Sequence, residues 1–320
     1  MTDTLHSAND SSATETSATE TTAPETSVTY ADGQGSADIT VAVIGAGGKM
    51  GQRVSNNLAK SSYTALYSEA SPAGVELIES LGRTVTPTEE AVANADVVIL
   101  AVPDVVLGRV SESVVPAMKS GAIILTLDPA AAYAGLLASR DDIHYAVAHP
   151  CHPSVFLERT TKEEWADTFG GVAAPQEVIA ALEGVDESSP VRELATGVIS
   201  TIYAPVIAVH YVTVKQLAVL EPTLVETIAC MIGAFLKEAL EETVDGVGVP
   251  YEAARAMLYG HTWIALTNGL RGSNPFSDAC HIAMDYGRES IVKDDWKKIF
   301  DDSQLDSVIA RMLKIDAVRR

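Results

Sequence analysis

The sequence predicts an α/β protein, with a parallel-sheet domain followed by an all-helical C-terminal domain. Three observations predict it. Between Ile39 and Ala148, short apolar runs alternate with helical patterns, as parallel strands joined by right-handed crossovers require. A glycine-rich turn, Gly45-Ala46-Gly47-Gly48-Lys49-Met50-Gly51, connects the first run to the first helix. Beyond Pro153 the strand signals fade and helical patterns persist. The 320 residues suit two domains of roughly 100–200 residues each. The pattern divides them into a tail over 1–36, a Rossmann-type dinucleotide-binding domain over 37–153 and a helical substrate and dimerisation domain over 154–320.

Residues 1–36 are rich in Thr, Ser, Ala and Glu and contain no Lys or Arg. Such a segment buries too little apolar surface to offset its ordering entropy, which predicts a disordered acidic tail. Ile39–Ile44 is a β-type run and Gln52–Ser61 a helix. Thr64–Glu69 reads as a strand, Pro72–Leu81 as a helix, Thr84–Val85 as a short strand and Glu89–Ala95 as a helix. Asp96–Val102 is almost wholly apolar, as expected of a strand buried on both faces. Leu107–Met118 follows as a helix, then Ala122–Leu127 and His144–Ala148 as strands. Further on, Lys162–Phe169, Pro175–Leu182 and Pro190–Tyr203 read as helices. Thr213–Val244 reads as a long helix interrupted at Pro222, followed by helices over Pro250–Asn268, Asp278–Tyr286 and Leu305–Val318.

A strand, a glycine turn and a helix together make a dinucleotide cradle. The glycines allow close approach of a pyrophosphate, and the helix N-terminus offers free N–H groups. The spacing departs from GxGxxG: it reads as Gly45 and Gly47 with Gly51 one place late, or as Gly45, Gly48 and Gly51. Gly45, Ala46, Gly47, Gly48, Lys49, Met50 and Gly51 are therefore the candidate cofactor-binding turn. Glu69 ends the second strand, where a carboxylate binds adenosine ribose hydroxyls and repels the extra phosphate of NADP, so NAD is the expected cofactor. The alternative for Glu69 is an exposed loop residue. Pro103 and Asp104 follow the Asp96–Val102 strand at the carboxyl edge of the sheet, which is the ligand side. Asp128 ends the next strand on the same edge, either as a site residue or as a cap on the following Ala-rich helix.

His149-Pro150-Cys151-His152-Pro153 follows the last strand, and its prolines stiffen it. Either His149 or His152 can act as a general acid/base or a metal ligand. Farther on, Leu217, Leu224, Ile228 and Phe235 form a helical stripe on which Glu221 falls. A carboxylate on an apolar face is costly unless it is paired, protonated or metal-bound. Pro222 removes a helical N–H beside it and bends the helix. Lys215 is a candidate base for oxidising a hydroxy acid, with a solvated surface lysine as the alternative. His210 and His261 fall in helical patterns, and His261 reads as a core or subunit-contact residue.

Net charge is −21, from 43 acidic and 22 basic residues. Such a chain is repelled by nucleic acid and by anionic membranes, so neither is expected as a main partner. A small anionic substrate needs only a local positive site. No apolar run reaches the roughly 18 residues of a membrane span, and the N-terminus lacks the basic start and apolar core of a signal peptide. Cys151, Cys230 and Cys280 fit no CxxC spacing, which predicts reduced thiols and a cytoplasmic setting.

Seven segments in this order, IGAGGKMG, AVPD, LDPAAAYAG, HPCHP, GGVAA, LEPTLVET and PFSDA, resemble the D-apionate oxidoisomerase family, which is related to the 6-phosphogluconate and β-hydroxyacid dehydrogenases. The resemblance spans about Ile39 to Phe300. It implies an NAD-linked oxidation of a branched sugar acid with a coupled rearrangement, of the D-apionate to 3-oxo-isoapionate type, and it implies a homodimer. It also implies a divalent metal, Zn or Mg, which maps onto His152 and Glu221. The catalytic candidates are His149, His152, Lys215 and Glu221. A simple β-hydroxyacid or sugar-acid dehydrogenase without isomerisation is the alternative within enzymes. A non-catalytic dinucleotide-binding sensor would share the fold, but it would need neither the histidine loop nor a buried Glu221.

Overall fold

A computed structural model describes residues 36–319; the predicted tail over 1–36 lies outside them apart from Ser36. Seven strands form one sheet in the order β2-β1-β3-β4-β5-β6-β7. They are β1 (Thr40–Ile44), β2 (Thr64–Ser68), β3 (Val97–Leu100), β4 (Ile123–Thr126), β5 (His144–Pro150), β6 (Gln176–Leu182) and β7 (Val206–Tyr211). β1 to β5 pair in parallel, β6 runs antiparallel to β5, and β7 is parallel to β6.

Alternation along the strands sorts side chains onto two faces. Val41, Val43, Ile99 and Leu125 pack with Val54 and Leu58 of α1 (Lys49–Leu58) and with Val198 and Ile202 of α7 (Pro190–Ile202). On the other face, Ala42, Val98, Leu100 and Ile124 meet α3 (Thr88–Asn94) and α4 (Asp104–Val114). That face also receives the chain's last helix, α12 (Asp302–Leu313), through Leu305, Ile309 and Leu313. Three short helices lie between strands: α2 (Pro72–Ser80), α5 (Ala130–Tyr133) and α6 (Lys162–Ala166).

The predicted sheet is present, but it extends further than the pattern suggests. Pro175–Leu182, read as a helix, is strand β6: Val178, Ala180 and Leu182 face one core and Ala181 the other. Val206–Tyr211 is a strand the pattern missed, and it places His210 on β7 rather than on a helix. The part after residue 153 is therefore not all-helical; helices take over only from Val214. Thr84–Val85 reduces to a single bridge between Tyr67 and Val85.

From Val214 one continuous helical run extends to Gly246: α8 (Val214–Ala218), a π-helical segment (Val219–Cys230), α9 (Met231–Glu241) and a π turn (Glu242–Gly246). Pro222 does not interrupt this helix. Its missing N–H is absorbed by wider, i→i+5 winding, a common way to keep a helix going through a lost bond. The run is 33 residues long, and its most apolar 18-residue stretch, with a mean hydropathy of 1.6, has the length and composition of a bilayer-crossing helix, which the sequence expectation did not foresee. Its first part instead packs on the sheet domain through Leu217 and Ala218.

The rest of this run projects from the sheet with α10 (Tyr251–Arg271) and α11 (Asp278–Ile291). Leu224 and Phe235 of the predicted apolar stripe are exposed, and α9 and α11 bury no residue.

Candidate active site

The chain leaves β1 toward β2 on one side and returns to β3 on the other. The carboxyl ends of β1 and β3 therefore diverge into a crevice, the usual ligand position in an open α/β sheet. A cleft of about 1030 Å³ opens there, lined by Lys49, Asp104, Asp128, His149, His152 and Phe169 among others.

The glycine turn forms one wall. Gly45 has φ +84°, and a Cβ on it would sit 2.7 Å from the Ala101 carbonyl oxygen. A Cβ on Gly47 would fall 2.5 Å from Gly74 Cα, and one on Gly51 would fall 2.0 Å from the Gly45 oxygen. Gly48 has more room, its nearest neighbour being at 3.3 Å. Of the two spacings the sequence allows, the backbone thus demands Gly45, Gly47 and Gly51. The first turn of α1 has no side-chain cap on its N–H groups, and Gly48, Lys49 and Met50 at its start line the cleft.

Glu69 closes over this turn. Its Oε2 accepts from Gly47 N at 2.9 Å, and its Oε1 accepts from Ala70 N and Ser71 N, each at 2.9 Å. Burial alone would raise its pKa, but the N–H groups of Ser71, Gly47 and Ala70 hold the carboxyl below its ordinary range. A stable carboxylate at the end of β2 suits ribose hydroxyls and opposes a phosphate.

The other wall gathers acids around one histidine. Asp128, His149 and Glu221 each offer a ligand atom, and these atoms lie within 4.8 Å of one another. Asp128 ends β4, His149 lies in β5, and Glu221 comes from the π segment. Asp128 Oδ1 accepts from Ala130 N at 2.8 Å, and its carboxyl lies in the cluster. Burial, then the charge of Asp104, pushes Asp128 up to about 7. Glu221 is 5% exposed, and no donor reaches its Oε2. Burial, then the charges of Asp128 and Glu226, drives its pKa well above the carboxylate range. Burial also raises Asp104. His149 moves the other way, down to about 4, because burial disfavours its cation. Its Nδ1 lies 3.2 Å from the Leu127 carbonyl, so Nδ1 carries the hydrogen and Nε2 keeps a lone pair.

The remaining predicted residues lie elsewhere. His152 lines the cleft but is not grouped with Glu221; its Nδ1 bonds the Phe169 carbonyl at 2.8 Å. The expected His152–Glu221 pairing is thus replaced by Asp128, His149 and Glu221. Lys215 is exposed and paired with Asp302 at 2.7 Å, away from the cleft lining. His261 is exposed on α10, with its Nδ1 on the Met257 carbonyl, and is not a core residue. His210 pairs with Glu177 at 2.7 Å. Pro103 lines the cleft, and Asp104 there opens α4. Glu226, which sequence reasoning did not single out, joins Glu221 because π winding brings residues five apart onto one side.

Comparison with known proteins agrees with the fold and places the chain among dinucleotide-binding relatives. Residues 22–167 match the family described as acetohydroxy acid isomeroreductase, NADPH-binding domain. Residues 157–313 match phosphogluconate dehydrogenase (decarboxylating) C-term. A D-apionate oxidoisomerase of Pectobacterium atrosepticum is 61% identical over 282 residues, 88% of this chain and 98% of that protein. One from Blautia hydrogenotrophica is 44% identical, covering 87% and 98% respectively. A Cupriavidus necator protein, described as a semialdehyde dehydrogenase NAD-binding protein and solved in complex with calcium and NAD, superposes with a TM-score of 0.81. It is 42% identical, over 86% of this chain and 99% of that one.

Proposed function

The chain belongs to the D-apionate oxidoisomerase family, and from that premise we propose that it oxidises a branched sugar acid of the D-apionate type with NAD and rearranges its carbon skeleton. The observation that carries this reading is that Asp128 and His149, grouped with the buried Glu221, line the same cleft as Gly48, Lys49 and Met50 of the glycine turn, which Glu69 holds through Gly47 N.

The residues fit a divalent cation. Two carboxylates and a neutral imidazole are a common donor set. Burial, then the charges of neighbouring acids, pushes Asp128 and Glu221 toward protonation, and a cation would oppose both. The orphaned Oε2 of Glu221 would gain a partner. Asp128, His149 and Glu221 would hold the ion, leaving positions for the adjacent oxygens of a hydroxy acid. Bound NAD would supply a hydride acceptor for the carbon bearing the 2-hydroxyl, and a cation held there would supply Lewis-acid polarisation of a carbonyl oxygen.

The chain's own groups then have distinct tasks. The Nε2 of His152 takes the proton of the 2-hydroxyl as the hydride leaves. The oxidised acid next gives up the proton of its tertiary 3-hydroxyl. The hydroxymethyl group migrates with its bonding pair from carbon 3 to carbon 2, carbon 3 becomes the ketone, and the carbon-2 oxygen takes up a proton. Glu226, beside Glu221 on the π segment, can relay that proton. Overall, substrate and NAD yield 3-oxo-isoapionate, NADH and one proton.

We also assign a homodimer built through α9, α10 and α11. Trp263, Phe235, Met257, Leu270 and Ile282 are all exposed there. α10 buries only Ala254, and its apolar side chains do not gather on one face, so it needs cover on more than one side. A groove of about 870 Å³ between α9 and α10, lined by Leu236, Leu240, Leu258, Trp263 and Leu266, suits a partner helix. Three free thiols fit a cytoplasmic enzyme.

The test is NADH formation at 340 nm with D-apionate, coupled to carbon-13 NMR of the product. A product whose hydroxymethyl group has moved supports the reading. An unrearranged 2-oxo acid assigns a simple dehydrogenase, and NAD binding without turnover of any sugar acid assigns a sensor.

A further inference from the structure

His152 has φ +60°, a backbone conformation sparsely populated by residues other than glycine and one that persists only where surroundings enforce it. The surroundings here are identifiable. The Phe169 carbonyl lies 2.8 Å from His152 Nδ1, and a carbonyl can only accept. Nδ1 therefore donates, and Nε2 is left with its lone pair for the cleft. The Phe169 ring lies against the imidazole, with centroids 4.4 Å apart at 50°. The Arg53 guanidinium covers that ring at 4.1 Å and donates to the Gly170 carbonyl.

The turn that presents these groups is tightly built. Gly170 and Gly171 both have positive φ, and a Cβ on Gly170 would fall 2.6 Å from Gln176 Oε1. The N–H groups of Val172, Ala173 and Ala174 converge on Asp167 Oδ2. The Asn57 amide donates to the Gly171 carbonyl at 3.1 Å. Arg53 and Asn57 both belong to α1, the helix whose N-terminus follows the glycine turn. One helix thus carries the dinucleotide cradle at its start and grips the histidine-holding turn further along.

We propose that Arg53 and the Phe169–Gly171 turn are positioning residues. They hold His152 in its Nδ1–H tautomer, so that Nε2 is the proton acceptor of the cleft, and they tie that acceptor to the nucleotide helix. This rests on the reading of the cleft as the site of hydroxyl oxidation, but its first readout does not depend on turnover.

The test is a long-range proton–nitrogen NMR spectrum of the full-length protein with nitrogen-15 histidine, at about pH 8.5 where ordinary imidazoles are neutral. His152→Gln assigns the signals. The expected result is a protonated Nδ1 and an unprotonated Nε2 at His152. R53M, which removes the fork but keeps the stem, is expected to shift both signals toward a tautomer mixture. It should also lower kcat about tenfold, roughly 1.4 kcal/mol, while leaving KM for NAD within about twofold; R53K should recover part of kcat. A wild-type spectrum with hydrogen on Nε2, or an R53M protein with unchanged His152 signals, overturns the proposal. The wild-type spectrum decides the matter even if R53M does not fold. If no sugar acid is oxidised, the functional reading fails while the tautomer result stands on its own.

Discussion

Glu226 faces Glu221 across five residues of one helix, its charge helping to raise the Glu221 pKa, an arrangement that i→i+5 winding between Val219 and Cys230 makes possible. In an ordinary α-helix, positions three and four apart are the neighbours and a fifth residue turns away. The lost N–H of Pro222 and the pairing of two acids are therefore linked: the winding that accommodates the proline also sets Glu226 beside Glu221 at the mouth of the cluster.

Crowding of these acids gives a pH signature. Asp128 has a folded pKa of about 7, raised above the unfolded value near 3.9. Its contribution to stability is therefore complete below about pH 4 and is lost as pH rises through about 7. Glu221 is also raised and acts with the same sign at higher pH. His149, lowered to about 4, acts oppositely, gaining stability as pH rises from about 4 to 6.5. In chelator, Asp128→Asn should flatten the pH dependence of Tm that Asp128 contributes between about pH 4 and 7 relative to wild type. An unchanged slope in thermal melts would show that Asp128 is not held near protonation.

Glu221→Gln should cost at least about a hundredfold in kcat/KM, roughly 2.7 kcal/mol, because the site loses both a ligand and a proton partner. The metal-free variant should nonetheless be as stable as wild type or more so at pH 8, since a carboxyl whose ionised form is disfavoured by burial and neighbouring charge is replaced by a neutral amide. Calorimetry of both proteins in chelator checks this. A large loss of Tm would assign Glu221 a structural ion pair instead.

The glycine turn offers a paired control. Gly51→Ala places a Cβ 2.0 Å from the Gly45 oxygen and should abolish NAD binding by titration calorimetry. Gly48→Ala, with 3.3 Å of room, should keep binding within about tenfold, roughly 1.4 kcal/mol. Equal effects of the two substitutions would contradict the cradle geometry.

Glu69→Ser should weaken NAD binding and narrow the preference over NADP by about tenfold or more, roughly 1.4 kcal/mol. Gly47 N loses its 2.9 Å partner and the repulsion of a phosphate disappears. A preference ratio that stays constant in steady-state kinetics would remove Glu69 from cofactor selection.

Trp263→Glu places a charge in the apolar groove between α9 and α10 and should shift the protein from dimer to monomer in light scattering. A wild-type monomer at micromolar concentration would end the dimer assignment.

Much of this architecture is legible in the sequence, for physical reasons. Strands β1, β3 and β4 are unbroken apolar runs because both faces of the sheet are covered, and the glycine turn is marked by steric demands that only glycine meets. β6 was misread because Pro175 mimics the first residue of a helix, and Gln176–Leu182 contains Gln, Glu, Ala and Leu, all good helix formers. Its strand character comes from pairing with β5, a tertiary effect. In the cleft, Glu221 stands out as an acid on an apolar stripe, and His149 and His152 as residues of a stiff loop. Which histidine meets Glu221 is decided by backbone carbonyls: Leu127 orients His149, and Phe169 turns His152 aside. Glu226 could not be placed by a 3.6-residue period, because the local period is not 3.6.

Asp128, His149 and Glu221 are proposed to form a cation site required for the oxidation and rearrangement. Its most direct test is a time course of carbon-13 labelled D-apionate with NAD, using protein verified metal-free by mass spectrometry, before and after a divalent cation is restored. The account predicts no 3-oxo-isoapionate from the metal-free protein and full recovery on addition of the ion. Rearranged product forming at the same rate without metal would contradict it.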